Sequence, residues 1–388
     1  AGTITNSGTG TGATLISGGV GSGVTTVTEN SATSALTIST TALTVASGGT
    51  TLVNSNASGS ALLTVSGGIT GTGNLVLNNN SAIANGITLS TTSVNNAGTI
   101  TNSGTGTGAT LISGAIGSNV TNVTENSSTS MLVLSSTSNA YTGTTTITSG
   151  TLQLGAAGVI PNASAVTITG TLDLAGNSET VGSIAGAGTI TSSAAGTPVL
   201  TAGGNDTSTS FSGVIQNGSA TSVALVKAGT GTLTLGGASN STYTGGTTIQ
   251  AGTVQVSTNS AALGTGGVTL GNTTGNSAAS LLIGTSGLTV ANAITLATNA
   301  SVGTLTIGTT GSIATATYSG GVTGTNNFTI GNTTSSSLTF STEAINNTGT
   351  ITNTGSGAGT TIINHGVGSN VTTVTENSAT SALTISTT

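Results

Sequence analysis

Apolar and polar residues alternate with a period of two along nearly the whole chain. From Ile4 to Ile100 the pattern is carried by short runs such as ATLIS, VTTVT, ALTIS, TTLVN and NLVLN, with Gly, Asn and Ser between them. Such alternation marks half-buried strands, with Val, Ile or Leu on one face and Thr on the other. No segment has a helical period. A hairpin meander or a sandwich would give similar spacing. Against that, Asn-Gly hairpin pairs occur only at Asn85-Gly86 and Asn217-Gly218. Small side chains also suit a narrow core in which each coil stacks on the next and like residues form ladders. The pattern therefore predicts an all-β fold, a β-solenoid running as a single continuous rod over residues 1–388, with ~20–24 residues per coil. In this register Ile4, Ile38, Ile100, Ile147, Leu233 and Ile351 point inward and their threonine neighbours outward.

One stretch occurs three times, at residues 1–40, 97–136 and 348–387. Each copy carries GTITN, then a glycine-rich string, then VTENS or its equivalent. Self-similarity of this kind marks a repeat architecture. The second copy starts 96 residues after the first, so equivalent geometry requires those residues to span a whole number of coils, four or five. The sequence begins and ends inside a cassette, which implies a window on a longer repetitive chain with an open coil edge at either end.

Composition narrows the class. Gly supplies 63 of 388 residues, and charged residues only 2%, against roughly 25% in typical domains. Two prolines and no G-X-Y period exclude collagen. Mean hydropathy of +0.32 and abundant β-branched residues argue for order. Seven acids, one lysine and no arginine leave no basic footprint for nucleic acid. Without cysteine there is no disulfide framework and no thiolate metal site. No apolar run is long enough for an integral membrane segment.

Residues 139–155, NAYTGTTTITSGTLQLG, and 240–256, NSTYTGGTTIQAGTVQV, resemble the autotransporter-associated β-strand repeat, also called the passenger-associated transport repeat. TLDLAGNSETVGSIAGAGTIT (171–191), FSGVIQNGSATSVALVKAGTGTLTL (211–235) and AALGTGGVTL (261–270) are similar to phrases of the same family. The likeness is specific over 139–270. It implies a right-handed parallel β-helix and an extracellular or outer cell-surface location.

Candidate chemistry is sparse. Polysaccharide-active β-helix enzymes need clustered carboxylates, or a Lys/Arg base with carboxylate-bound calcium. Of Glu29, Glu125, Asp173, Glu179, Asp206, Glu343 and Glu376, only Asp173 and Glu179 are close in sequence. All seven read as exposed turn or face residues. Glu29, Glu125 and Glu376 share one cassette position, either a repeated ion or contact site or, in the simpler reading, a strand end that meets solvent. Lys227 reads as a solvated loop residue, and His365, in the place of Gly18 and Gly114, as pointing outward from a turn. GTGTG at 8–12 and 104–108 is followed by no helix and no lysine, so it reads as tight corners where glycine takes positive φ rather than a phosphate cradle. Thr-X-Thr triplets such as Thr99-Ile100-Thr101 suit ice in regular arrays, but their spacing along the sequence is irregular. No catalytic, cofactor-binding or metal residue is expected. The function read from this is structural: a segment of a secreted fibre, sheath or filament that self-associates end to end or laterally. The alternative is a cell-surface adhesin making glycan contact, for which Tyr141, Tyr243 and Tyr318 are too scattered to form an aromatic row.

Overall fold

A strand with one apolar face must bury it, and a chain whose strands recur at near-constant spacing can do so by coiling over itself. The computed structural model describes residues 1–90, 93–299 and 303–386. Among these every regular element is a β-strand, and the strands within each unit pair in parallel. The chain forms two compact units, residues 1–181 with 188–194, and residues 182–187 with 195–388.

In the first unit each coil contributes a strand to one main sheet, from Gly2–Asn6 through Val24–Glu29, Thr50–Asn54, Leu75–Asn79, Gly98–Asn102, Val120–Glu125 and Thr145–Ile147 to Ala165–Ile168. A second sheet stacks Thr14–Ile16, Leu36–Ile38, Leu63–Val65 and their successors through Thr171–Asp173 to Thr189–Thr191. The third side holds the short pair Leu43–Val45 and Ile69–Gly71 and single bridges at Val20, Val94 and Ile116. The second unit repeats the plan. Its main sheet runs from Ser183–Gly186 to Val371–Glu376, one flank from Val199–Ala202 to Val322–Gly324, and another from Leu288–Val290 to Leu383–Ile385. Main-sheet partners lie from 21 residues apart (Thr145 and Val166) to 27 apart (Val254 and Leu281), a wider range than the sequence suggested. The turns absorb the difference, so the strands stay in register.

The inward register is as expected. Ile38, Ile100, Ile147 and Ile351 are fully buried, and Leu233 nearly so. Ile4 is half-buried on the first coil, which is stacked on one side only. The threonines beside them are mostly half-buried, because each is flanked by a side chain of the coil above and below. The four coil steps from Gly2–Asn6 to Gly98–Asn102 agree with the 96-residue cassette spacing. The register contains one refinement. Val27, Leu52, Leu77 and Asn102 form one column, so the second cassette sits two residues along the strand from the first. Two is the period of the pleat, and every inward residue therefore stays inward.

Candidate functional site

The polar chemistry of the cassettes is internal. In Val27-Thr28-Glu29 the pleat alternates in, out, in, and Glu29 follows Val27 into the core. Glu29 and Glu125 are 0% and 1% exposed, which corrects the expectation that these carboxylates meet solvent. It is the following Asn30 and Asn126 that do. In the second cassette Glu125 Oε2 accepts from Asn102 Nδ2 of the preceding coil at 2.7 Å, and Oε1 accepts from the Ser127 amide at 2.7 Å. The Ser127 hydroxyl donates to the Gly104 carbonyl and that of Ser130 to the Gly108 carbonyl at 2.9 Å. Asn6, Glu29, Ser31 and Ser34 repeat the arrangement; in the third cassette Asn353, Glu376 and Ser378 do so, and Asn353 Nδ2 also donates to the Ser381 carbonyl at 2.7 Å. Glu376 itself is exposed on the last coil. Of the third cassette, Thr387 lies outside the described residues.

Each cassette is thus a clasp between two coils. The carboxylate ends a strand and caps the turn by accepting the amide two residues on, a role that Asn54, Asn79 and Asn332 fill elsewhere. Among the described residues no lysine or histidine side chain stands beside Glu29 or Glu125. Burial, only partly opposed by these donors, pushes Glu125 up from 4.5 to about 8 and raises Glu29 as well.

The glycine strings take a different form from the one expected. Gly104, Gly106 and Gly108 do not adopt positive φ. They lie flat against the preceding coil, where the Gly106 and Gly108 amides donate to the carbonyls of Asn79 and Ser81 at 3.0 Å. A Cβ at any of the three would collide with a backbone carbonyl of that coil.

The remaining acids are also placed by structural contacts. Glu179, 2% exposed, accepts from the amides of Val159, Ile160 and Thr180, and burial raises it to about 7. Asp173, 4% exposed, accepts from Gln153 Nε2 at 2.8 Å and from the Ala175 and Ser193 amides. Both were expected at the surface. Only Asp206, Glu343 and Glu376 of the seven acids are exposed. Asp206 accepts from the amide and hydroxyl of Thr230, which lower its pKa. His365 does point outward, its Nδ1 accepting from the Thr342 amide at 3.2 Å. Among the described residues no group of three or more His, Asp or Glu side chains is gathered to hold a metal.

Lys227 is the largest departure. It ends the strand Ala224–Lys227, is 1% exposed, and its ammonium donates to the carbonyls of Ala228, Gly229 and Ala251. Burial lowers it to about 8, against a small opposing pull from Asp206. Lys227→Met would leave those carbonyls without their donor, and we expect a loss of about 1–3 kcal/mol, read as a lower denaturant midpoint at pH 7. An unchanged midpoint would mean that water already serves the three oxygens.

All six aromatic rings are interior. Tyr141 and Tyr243 hydroxyls meet Thr145 and Thr247 Oγ1 at 2.7 and 2.6 Å, the same contact in two YTG-containing turns. Tyr318 stacks on Phe340 with ring centroids 5.5 Å apart, and Phe211 and Phe328 are buried. The second unit has shallow surface hollows, one of 490 Å³ beside Ser260, Thr289 and Asn292 and one of 550 Å³ beside Ser319, Thr323 and Glu343. Neither holds a ring for a sugar to stack on.

Among the described residues no helix is long and apolar enough to cross a membrane. No curated protein and no solved structure matches the chain. Residues 127–154 and 225–256, the stretches that carry the Tyr141 turn and the Lys227 strand, match the family model of the passenger-associated-transport-repeat, so the β-solenoid contains two stretches similar to that repeat.

Proposed function

We propose that the chain is a structural segment of a secreted or surface-displayed protein, one continuous solenoid over residues 1–388 that self-associates into a fibre, sheath or filament. The observation that carries this reading is the use made of the cassette carboxylates. Glu29 and Glu125 are buried and spent on joining one coil to the next. The passenger-type repeats support an extracellular or outer-surface location. A solenoid whose polar groups are consumed by its own ladders is stable without disulfides or metals, which suits a passive rod. Adhesion to glycans is the alternative, made through outer hydroxyls and amides, since no aromatic ring is exposed.

Electron microscopy of the native material, with protease shaving of intact cells, tests the proposal. Filaments whose subunits are removed by external protease are expected. Isolated rods on the cell surface would favour the adhesin, and protection from protease would overturn the location.

A further inference from the structure

The first unit has no charged side chain on its exterior. Residues 1–181 contain no Lys, Arg or His and four acids, Glu29, Glu125, Asp173 and Glu179. Every one of the four is at least 96% buried. Soluble sheet proteins ordinarily keep copies apart with charges on exposed faces and edges, lysine above all. Here that protection is absent.

The main sheet of this unit also carries a regular outer ladder. One outward column starts at Thr3 and ends at Thr167, stepping once per coil over eight strands, and only Val76 interrupts the threonines. The triplets that look irregular along the sequence are aligned by the unequal turns. The neighbouring outward positions are uncharged too: Asn78 accepts from Ser103 Oγ at 2.7 Å, and Asn122 from Thr144 Oγ1 at 2.9 Å. Threonine presents a methyl and a hydroxyl at every ~4.8 Å step.

We propose that this threonine face, on the strands from Gly2–Asn6 to Ala165–Ile168, is a lateral docking surface for the same face of a second copy of the chain. The inference rests on the self-association proposed above and says where it occurs. A partner for a face of fixed ~4.8 Å period must share that period, and another copy does so by construction. Two such faces interdigitate methyls with no charge to desolvate or repel. Eight strands of three to six residues, about five on average, cover about 600 Å² on each side, or about 1,200 Å² in all, the lower end of specific interfaces. The association is accordingly concentration-dependent.

Sedimentation velocity of the full chain over a concentration series tests this. The unmodified chain should shift towards dimers and larger species as concentration rises. Thr51→Lys with Thr101→Lys and Thr146→Lys should weaken that association at least tenfold. Thr37→Lys with Thr64→Lys and Thr88→Lys adds the same charge to the outward column of the second sheet and should leave it intact, with circular dichroism showing both triple variants folded. Equal dissociation of both would overturn the assignment to this face while leaving self-association standing. A chain that stays monomeric at every concentration would overturn both readings. If that monomer instead bound ice or an insoluble neutral polysaccharide and lost this binding in the first variant alone, the face would be a polymer-binding surface and the dimer proposal would fail.

Discussion

The chain should become less stable as pH rises from 5 to 8, the reverse of ordinary acid denaturation, and Glu125→Gln should remove a large part of that slope. Glu125 binds its proton more tightly when folded, its pKa standing at about 8 instead of 4.5. Its contribution is therefore complete below the unfolded value and is lost as pH climbs through the folded one. In that window the loss approaches about 1.4 kcal/mol per pH unit. Glu179, raised to about 7, and Glu29, also raised, act in the same direction. Lys227, lowered to about 8, begins to restore stability only above that pH. Glutamine keeps an oxygen for the Ser127 amide but places a second donor near Asn102 Nδ2, so the midpoint at a single pH is a poor readout. The slope of the denaturant midpoint across pH 5, 6, 7 and 8 is the quantity to compare. A variant with the slope of the parent would show that Glu125 is solvated or paired in a way its surroundings do not suggest.

That glutamate also marks the limit of what could be read in the sequence. The period-two pattern locates the strands and their inward residues, because burial on a pleated strand depends on parity and apolar content alone, whereas the coiled, parallel stacking is legible only from the turn composition and the resemblance to the transport repeat. The same parity places Glu29 two residues after Val27, on the inward face. The sequence reading gave charge more weight than parity and turned the carboxylate outward. The missing term was the partner, Asn6, which sits at the same strand end one coil earlier and satisfies the carboxylate. Two polar residues that fall on inward parity at coil spacing are a legible signal of an internal clasp.

Other features are set by the third dimension, and no pattern along the chain encodes them. Lys227 also falls on inward parity, but whether a buried ammonium finds acceptors depends on turn carbonyls whose direction no pattern encodes. The threonine column from Thr3 to Thr167 is invisible along the chain because turn lengths vary, and only the pairing register reveals which threonines share a column. The two-residue offset between the first and second cassettes is hidden in the same way.

Gly106→Ala should destabilise the chain by about 3 kcal/mol or more, while Gly48→Ala should stay within about 0.5 kcal/mol. Neither glycine has positive φ, so backbone strain does not separate them. Their surroundings do. A Cβ on Gly106 would enter the backbone of Ser81 and Asn80 in the preceding coil, which cannot yield without breaking the Gly106 to Asn79 and Gly108 to Ser81 hydrogen bonds. A Cβ on Gly48, in the turn before the strand Thr50–Asn54, meets nothing within 4 Å, and alanine there even restricts the unfolded chain slightly. Hydrogen exchange gives the local readout: the amides of Gly106 and Gly108 should lose protection in Gly106→Ala, while Gly48→Ala leaves them unchanged. Equal destabilisation by the two substitutions would mean that glycine is required in both turns for its flexibility, and that close stacking between coils is not what excludes a side chain from residue 106.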